Sequence, residues 1–369
     1  MTAKLNRVHV AGFRSLRDMA LELTPVTVLI GPNGAGKSNL LWALEMTRFL
    51  AFESLQLFVG ERGGASYLMH YGPRQTPVID IELEFSSDRG ENAYHARLGY
   101  SSNESLIFLW ERAGFRGGAE QAWRWSELGA GHQESRLRDA ANAGDTTART
   151  VRWLLRQINF YHFHDTSRRS PLRTRDFADA GSDYLRSDGS NLASFLDGLK
   201  DSSTEEDQAS WRRIMFHVTS VAPFIKELTP RRDRHGIALQ WVDETGAEFG
   251  PAHLSDGTLR AITLFAALQQ PRSTLPIISC FDEPELGLHP AAIELLASAV
   301  RSVASDRQVI VSTQSPALLD LFEPDQVVVA ERHEGGTVFN RLDQEKLAHW
   351  LSEYRLSEMY DSNLIGGRP

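Results

Sequence analysis

"VTVLIGPNGAGKSNLLWALEM", residues 26–46, joins a short apolar run to a helical stretch through a glycine-rich turn. Residues 31–38 match the pattern G-x-x-x-x-G-K-[ST], and they lie after a strand and before a helix, as the pattern requires. The glycines allow the backbone N–H groups to point inward, and the positive end of the following helix strengthens the field. We therefore predict a phosphate-binding loop (P-loop). Its predicted nucleotide contacts are Gly31, Pro32, Asn33, Gly34, Ala35, Gly36, Lys37, Ser38 and Asn39.

Two side chains of the P-loop have distinct predicted roles. The Lys37 ammonium group is expected to reach the β- and γ-phosphates of ATP, which makes it a catalytic residue. The Ser38 hydroxyl group is expected to bind Mg²⁺. The alternative is a glycine-rich turn with no ligand, and the agreement between motif and context argues against it.

A second chemical signal lies in "IISCFDEPELGLHP", residues 277–290. An apolar strand ends there in Asp282 and Glu283, and two adjacent acids at a strand end are costly unless they serve a metal ion or a proton. We predict that Asp282 holds Mg²⁺ through its water shell and that Glu283 polarises the attacking water. The alternative is a solvated acid pair that begins a helix.

Composition limits the partners and the compartment. The 369 residues include 39 Lys and Arg against 48 Asp and Glu, so the net charge of −9 should repel nucleic acid and anionic membranes except at a local basic patch. The single cysteine, Cys280, lies in an apolar run and is typical of a reducing compartment. Neither a membrane-spanning apolar stretch nor a signal peptide is evident, so we expect a cytoplasmic protein.

The order of predicted elements favours an α/β fold in three segments. Residues 1–165 contain the P-loop and strand-like runs of an antiparallel sheet, with an irregular excursion expected at 116–150. Residues 166–235 contain an arginine-rich loop and a helical segment with a polar break at 201–208, too short for a coiled-coil arm. Residues 236–369 alternate strands and helices, which predicts a largely parallel sheet.

The stretch "HLSDGTLRAITLFAAL", residues 253–268, reads as a helix that begins with an exposed turn. Ser255 would cap it, and the Asp256-Gly257 turn would leave backbone N–H groups free for an anion. The chain already has one phosphate cradle. A second anion site is explained if it clamps the γ-phosphate held by a neighbouring subunit.

The segment "LSDGT" resembles the LSGGQ signature of ABC-type ATPases. With "GFRSLRD", "EPELGLHP" and "VIVSTQSP", it makes the chain resemble the RecF/SMC-like and OLD-like branch of these ATPases, over about 1–85 and 160–369. The resemblance implies an ABC-type P-loop ATPase head with an antiparallel β subdomain and a helical signature subdomain. It also implies a homodimer, or a larger even-numbered assembly, that seals two ATP molecules between heads. The signature contacts would come from Leu254, Ser255, Asp256 and Gly257.

The resemblance also assigns residues outside the signature. Gln314 occupies the switch position, where the family usually has His, and it would donate a hydrogen bond to the γ-phosphate without becoming charged. Residues 285–289 would form the D-loop at the dimer interface, where His289 would either contribute or merely begin a helix. Arg14 either reaches the nucleotide or is a surface charge. Asp256 replaces a glycine of the signature and would point toward a cation or an arginine of the opposing head.

The segment "DTSRRSPLRTRD" concentrates positive charge in an acidic protein. Its guanidinium groups would hold the DNA backbone or an acidic partner. The alternative is a solvated loop whose arginines pair with Asp165, Asp176 and Asp179. The arginines concerned are Arg168, Arg169, Arg173 and Arg175.

Three functions remain open at this point. The first is an ATP-driven dimerisation switch that acts in DNA metabolism or anti-phage defence. OLD-like proteins carry a nuclease domain after the ATPase, and too few residues follow "STQSP" for one here, so the resemblance implies a separately encoded nuclease or toxin. The second is an SMC-like DNA scaffold, and the third is a transporter nucleotide-binding subunit, which the divergent signature disfavours.

Overall fold

A computed structural model describes residues 3–163, 165–167, 169–176 and 183–367. Its strands are β1 (Ala3–Phe13), β2 (Leu16–Glu22), β3 (Val26–Ile30), β4 (Val78–Ser87), β5 (Gly90–Ser101), β6 (Ser105–Arg116), β7 (Arg124–Gly129), β8 (Ile158–Tyr161), β9 (Ile225–Leu228), β10 (Arg231–Asp233), β11 (Gly236–Ala238), β12 (Trp241–Asp243), β13 (Glu248–Phe249), β14 (Ile278–Asp282), β15 (Gln308–Thr313), β16 (Val327–His333) and β17 (Gly336–Arg341). Its α-helices are α1 (Lys37–Ala51), α2 (Leu55–Glu61), α3 (Ala65–Leu68), α4 (Leu137–Asn142), α5 (Thr146–Arg156), α6 (Leu192–Lys200), α7 (Glu205–Val221), α8 (Asp256–Leu268), α9 (Pro290–Val303), α10 (Pro316–Leu319), α11 (Gln344–Leu351) and α12 (Leu356–Asp361).

The central sheet has the strand order β17-β16-β3-β15-β14-β8. Every neighbouring pair is parallel except β16 and β17, so the predicted parallel sheet is confirmed. All residues of β3 and β15 are buried, as expected for apolar strands covered on both faces. The carboxyl ends of β3, β15 and β14 therefore meet along one edge of the sheet.

The second large sheet is antiparallel, with the order β2-β1-β4-β5-β6-β7. Buried and partly exposed residues alternate along β4, because one face covers the core and the other faces solvent. The prediction of an irregular excursion at 116–150 was wrong in part, because β7 extends this sheet and α4 follows it. The turn-forming residues at 117–123 obscure the sequence signal of β7, whose backbone pairs with β6.

The helical segment divides at the predicted polar break into α6 and α7. Together with α8 and α9 these helices cover one face of the central sheet, in a core that includes Phe195, Ile214 and Phe265. The other face packs against α1, α5 and the antiparallel sheet. No helix within the described ranges combines the length and apolar character needed to cross a membrane.

Candidate nucleotide-binding site

The P-loop connects β3 to α1 as its sequence predicts. Gly36 precedes α1 with a φ of 109°, and a Cβ atom there would lie 2.1 Å from the Thr337 Oγ1 atom, so glycine is required. The Lys37 side chain is buried, and its Nζ atom donates hydrogen bonds to the carbonyl oxygens of Gly31 (2.6 Å) and Pro32 (3.1 Å). The ammonium group is thus held inside the loop, where phosphate oxygens would bind.

Burial lowers the pKa of Lys37. The nearby carboxylates of Glu283, Asp282 and Glu285 act in the opposite direction, but the effect of burial is larger. Three acids therefore surround the end of the P-loop that would carry the terminal phosphate. A nucleotide bound here would lie between a cationic loop and an acidic strand end.

A chain of hydroxyl and amide groups braces the P-loop from outside. The Asn39 Nδ2 atom donates to Ser15 Oγ (2.7 Å), Ser15 Oγ lies 2.6 Å from Thr337 Oγ1, and Thr337 Oγ1 donates to the Ala35 carbonyl oxygen (2.8 Å). The Asn39 side chain, predicted as a nucleotide contact, is thus used to position the loop. Sequence reasoning missed Ser15 and Thr337, which come from opposite ends of the chain.

The magnesium pair predicted from the sequence is brought together. The Ser38 Oγ atom donates a hydrogen bond to Asp282 Oδ2 over 3.0 Å, although the two residues are 244 positions apart. A hydroxyl and a carboxylate are oxygen donors of the kind Mg²⁺ prefers, and Mg²⁺ commonly completes its shell with phosphates and waters. The residues present therefore fit a magnesium ion.

Glu283 and Gln314 meet at the carboxyl ends of β14 and β15. Glu283 has a φ of 46°, and its N–H group donates to the Ser312 carbonyl oxygen (2.8 Å). The Gln314 Nε2 atom donates a hydrogen bond to Glu283 Oε1. A positive φ at a non-glycine residue is unfavourable and is common at functional sites. The backbone conformation of Glu283 is therefore of the kind found at functional positions.

Glu285 is a further acid of the site that is largely withdrawn from solvent. Its Oε1 atom accepts a hydrogen bond from Thr313 Oγ1, whereas its Oε2 atom is buried without a hydrogen-bond partner. Burial raises the pKa of Glu285, and the negative charge of Glu283 raises it further. The protonated form of Glu285 is therefore favoured relative to an exposed glutamate.

Arg14 lies beside the first turns of α1. Its guanidinium carbon is 4.3 Å from the centre of the Trp42 ring, whose other contact is Arg62 at 4.4 Å. Burial lowers the pKa of Arg14, and the charge of Arg62 lowers it further. The His70 side chain is buried and contacts the Arg14 carbonyl oxygen through Nδ1. Its role is to hold the turn that carries Arg14.

The signature turn forms a capped helix start. Ser255 Oγ accepts a hydrogen bond from the Thr258 N–H group (3.1 Å) and lies 2.8 Å from Thr258 Oγ1. Ser255 and Asp256 are exposed, whereas Leu254 is only 4 % exposed and packs in the core. The Leu254 side chain, predicted among the nucleotide contacts, therefore anchors the turn and offers only its backbone to a ligand.

The signature turn contacts the D-loop, residues 285–289, of the same chain. A Cβ atom at Gly257 would lie 2.3 Å from the Gly287 carbonyl oxygen, and Arg260 Nη1 donates to the Leu286 carbonyl oxygen over 3.2 Å. His289 Nδ1 accepts a hydrogen bond from the Ala291 N–H group over 3.4 Å and caps α9, and its contribution to a dimer interface stays a prediction. A displacement of the turn would push directly on the segment that follows Glu283.

Comparisons with known proteins agree with this geometry. A family model described as "AAA domain, putative AbiEii toxin, Type IV TA system" matches residues 26–320. The chain belongs to this AAA family. A 54-residue stretch, 15 % of the chain, is 43 % identical to the OLD nuclease of Thermus scotoductus (strain ATCC 700910 / SA-01), of which it covers only 10 %.

Solved structures show which fold this AAA family member has. The chain is similar to the Smc head domain with an extended coiled coil bound to the C-terminal domain of ScpA from Pyrococcus furiosus, with a TM-score of 0.61 and 12 % identity over 95 % of this chain and 99 % of that one. A Smc head domain with a coiled coil and joint from Pyrococcus yayanosii gives 0.55 and 10 % over 95 % and 99 %. The predicted ABC-type P-loop ATPase fold of the RecF/SMC/OLD-like group is confirmed.

The arginine-rich loop of this AAA protein differs from both predicted forms. The Arg173 guanidinium group donates to the carbonyl oxygens of Thr166 (2.7 Å), Pro251 and Leu254 (3.1 Å), and to Asp256 Oδ1 (2.7 Å). Arg173 thus uses these donors within the chain, whereas binding of DNA or an acidic partner by the rest of the loop stays a prediction.

The remaining arginines of the loop are less committed to the signature turn. Arg175 pairs with Asp233 at the surface, Arg169 is exposed, and Arg168 lies outside the described residues. The predicted partners differ as well, because Asp165 accepts from the Ser167 N–H group (2.9 Å). Asp176 contacts Ser194, and Asp179 lies outside the described residues.

The contact with Arg173 also explains the aspartate of the signature. The hydrogen bond from Arg173 lowers the pKa of Asp256, so the carboxylate is neutralised by its own chain. We had expected a cation or an arginine of the opposing head in this position. The substitution of the signature glycine is therefore accompanied by a local counter-charge.

Proposed function

We propose that this protein is an ATP-hydrolysing switch whose heads close in pairs around two ATP molecules. The observation that carries the proposal is the convergence of Lys37, Ser38, Asp282 and Glu283 at one sheet edge, with Gln314 on Glu283. These groups provide what phosphoryl transfer to water requires, namely a phosphate cradle, a metal site and a carboxylate base. The family and fold support nucleotide binding, whereas turnover and closure are our inference.

The residues divide the chemistry among them. Lys37 and the inward N–H groups of the P-loop bind the phosphates and stabilise the charge that develops on them. Ser38 and Asp282 would hold Mg²⁺, which neutralises phosphate charge when bound. Glu283 orients and deprotonates the attacking water, and Gln314 fixes the Glu283 carboxylate. The hydrogen bond that Gln314 now donates to Glu283 would compete with one to the γ-phosphate, so binding and catalysis would be linked at this amide.

Closure would be sensed at the signature turn. Ser255 and Asp256 at the N-terminus of α8 are exposed, as expected for a site that receives a phosphate from another subunit. Through Gly257 and Arg260 the turn contacts the D-loop, which leads back to Glu283. A second head seated on the turn would thus adjust the catalytic carboxylate of the first.

The Glu283→Gln substitution tests this proposal. It removes the base while preserving shape, so ATP turnover should fall about a hundredfold or more and ATP-bound dimers should accumulate. Turnover is measured by phosphate release, and assembly by light scattering with and without ATP. Glu294→Gln is the matched control, since Glu294 is exposed on α9. Unchanged turnover in Glu283→Gln would remove Glu283 from catalysis, and a monomer in ATP would contradict closure.

We further propose that closure controls a separately encoded effector in anti-phage defence. The support is the family description, which names a putative toxin, and the partial similarity to an OLD nuclease. Glu283→Gln, held in the ATP state, should co-purify the product of an adjacent gene more strongly than Lys37→Ala does. Equal recovery with both variants would argue against ATP-dependent control and would favour a DNA scaffold.

A further inference from the structure

A large cleft opens at the far end of α1, away from the P-loop. We name it the α1–α5 cleft. It has a volume of about 950 Å³ and is bounded by the ends of α1 and α5, the start of β8, residues 184–188 and residues 270–276. Arg48 lies roughly 16 Å beyond Lys37 along α1, at the helical rise of about 1.5 Å per residue. Arg48 thus lies away from the P-loop, whereas Tyr161, the last residue of β8, lines both this cleft and the pocket at Asp282 and Glu283.

Three arginines line the α1–α5 cleft. Arg48, Arg156 and Arg186 form no ion pair with any carboxylate in the part of the chain that the structure describes, and the Arg48 Nε atom is buried without a hydrogen-bond partner. Burial lowers the pKa of Arg48 and of Arg156, and the charges of Glu45 near Arg48 and Glu53 near Arg156 oppose this effect. An anion would relieve this unfavourable arrangement.

Exposed aromatic rings accompany the arginines. Phe52 is 40 % exposed, and the Arg156 and Arg48 guanidinium carbons lie 4.4 Å and 5.2 Å from its ring centre. Trp153 and Tyr184 also line the cleft and are 38 % and 51 % exposed. Large apolar rings are normally withdrawn from water, and rings beside arginines are typical of surfaces on which nucleobases stack.

The cleft also contains an unsatisfied hydrogen-bond acceptor. Asn159 is 6 % exposed, and its Oδ1 atom is buried without a hydrogen-bond partner. An unpaired buried amide oxygen is costly, and the N–H edge of a nucleobase would satisfy it. By contrast, the neighbouring Tyr161 hydroxyl already accepts a hydrogen bond from Gln270 Nε2 over 2.7 Å.

We infer that the α1–α5 cleft binds a nucleoside phosphate, independently of the ATP site. The phosphate would lie on Arg48, Arg156 and Arg186, and the base would stack on the exposed rings with an N–H group toward Asn159. A free nucleotide and a nucleotide unit of a single strand share this chemistry. Such a ligand would connect the switch to nucleic acid or to a nucleotide signal.

Binding is tested with a 5′-fluorescein-labelled oligothymidylate, measured by fluorescence anisotropy on the full chain. Arg156→Glu and Trp153→Ala alter exposed side chains that leave the core intact, and each should weaken binding roughly tenfold or more. Lys226→Glu is the matched charge reversal on an exposed residue of β9, and it should change affinity less than about twofold. Lys37→Ala, which disables the P-loop, should bind the probe as the wild type does.

Competition in the Lys37→Ala background identifies the source of the ligand. Displacement by thymidine monophosphate supports a free nucleotide, and displacement by unlabelled strand alone supports single-stranded nucleic acid. Inorganic phosphate that competes as well as the mononucleotide would overturn the nucleoside assignment. Wild-type affinity in both Arg156→Glu and Trp153→Ala would overturn the cleft as the binding site, whatever the outcome for ATP hydrolysis.

Discussion

Replacing Arg173 with alanine tests whether the signature turn is held in position by its own chain. The Arg173 guanidinium group donates to three backbone carbonyl groups and to Asp256 Oδ1, and the side chain is only 10 % exposed. At about 1 kcal/mol for each carbonyl contact, the variant loses about 3 kcal/mol of local stabilisation. This figure omits Asp256, which is exposed and would be solvated in the variant.

A loss of about 3 kcal/mol corresponds to roughly a hundredfold change in the equilibrium constant between the ordered and the disordered turn. If the ordered turn is the form that accepts a second head, Arg173→Ala should lower ATP turnover and ATP-dependent dimerisation at least tenfold, because only the competent fraction closes. ATP binding to the P-loop should not change, since Lys37 and Ser38 are untouched. Arg173→Lys keeps the charge but not the planar fork, so it should restore little.

Arg175→Ala is the matched control for this experiment. Arg175 lies on the same loop, but its ion pair with Asp233 is at the surface, with side chains 41 % and 44 % exposed, and such a pair contributes about 0–1 kcal/mol. Phosphate release, light scattering and thermal unfolding are measured for all variants. Equal turnover in Arg173→Ala and Arg175→Ala, with both folded, would refute the role assigned to the Arg173 contacts.

Two further predictions concern the interface and the buried acid. Ser255→Arg should block head closure while retaining ATP binding. Ser255→Ala removes the helix cap, worth about 1 kcal/mol, together with the hydroxyl group offered to the phosphate. Lost nucleotide binding in the arginine variant would contradict action on a second subunit. Because burial raises the folded-state pKa of Glu285, the ionised carboxylate destabilises the fold above that pKa and ceases to do so as pH falls through it. Glu285→Gln should therefore raise the melting temperature by a few degrees near about pH 8, with a gain that shrinks toward about pH 4. A gain independent of pH would show that the charge is not the cause.

The P-loop and the acid pair could be predicted from sequence because their signals are local. Gly31–Ser38 follow a strand and precede a helix within one short segment, and Asp282-Glu283 end an apolar run. Parallel strands place their carboxyl ends together, so the Ser38–Asp282 contact follows from the fold class. The periodicity of α8 was equally local, and its cap by Ser255 is confirmed.

The contacts that sequence reasoning missed join residues distant along the chain. Arg173 and Asp256 are 83 positions apart, and Ser15 and Thr337 are 322 positions apart. Neither separation produces a periodic signal in the sequence. An arginine-rich loop in an acidic chain is as compatible with binding an external anion as with contacts inside the chain. The cleft could not be predicted for the same reason, since its arginines and exposed rings belong to three separate segments of the chain.

The hydroxyl brace of the P-loop has a consequence for biosynthesis. Thr337, which bonds to the Ala35 carbonyl oxygen, leaves the ribosome 302 positions after Ala35. The pairing of strand β3 in the sheet also requires β15 and β16, which flank β3 on both sides and are synthesised later. Contacts between such distant residues form late and slow folding. A nascent chain therefore lacks a braced phosphate cradle until Thr337 has been synthesised, and products that stop before Thr337 would not compete for nucleotide.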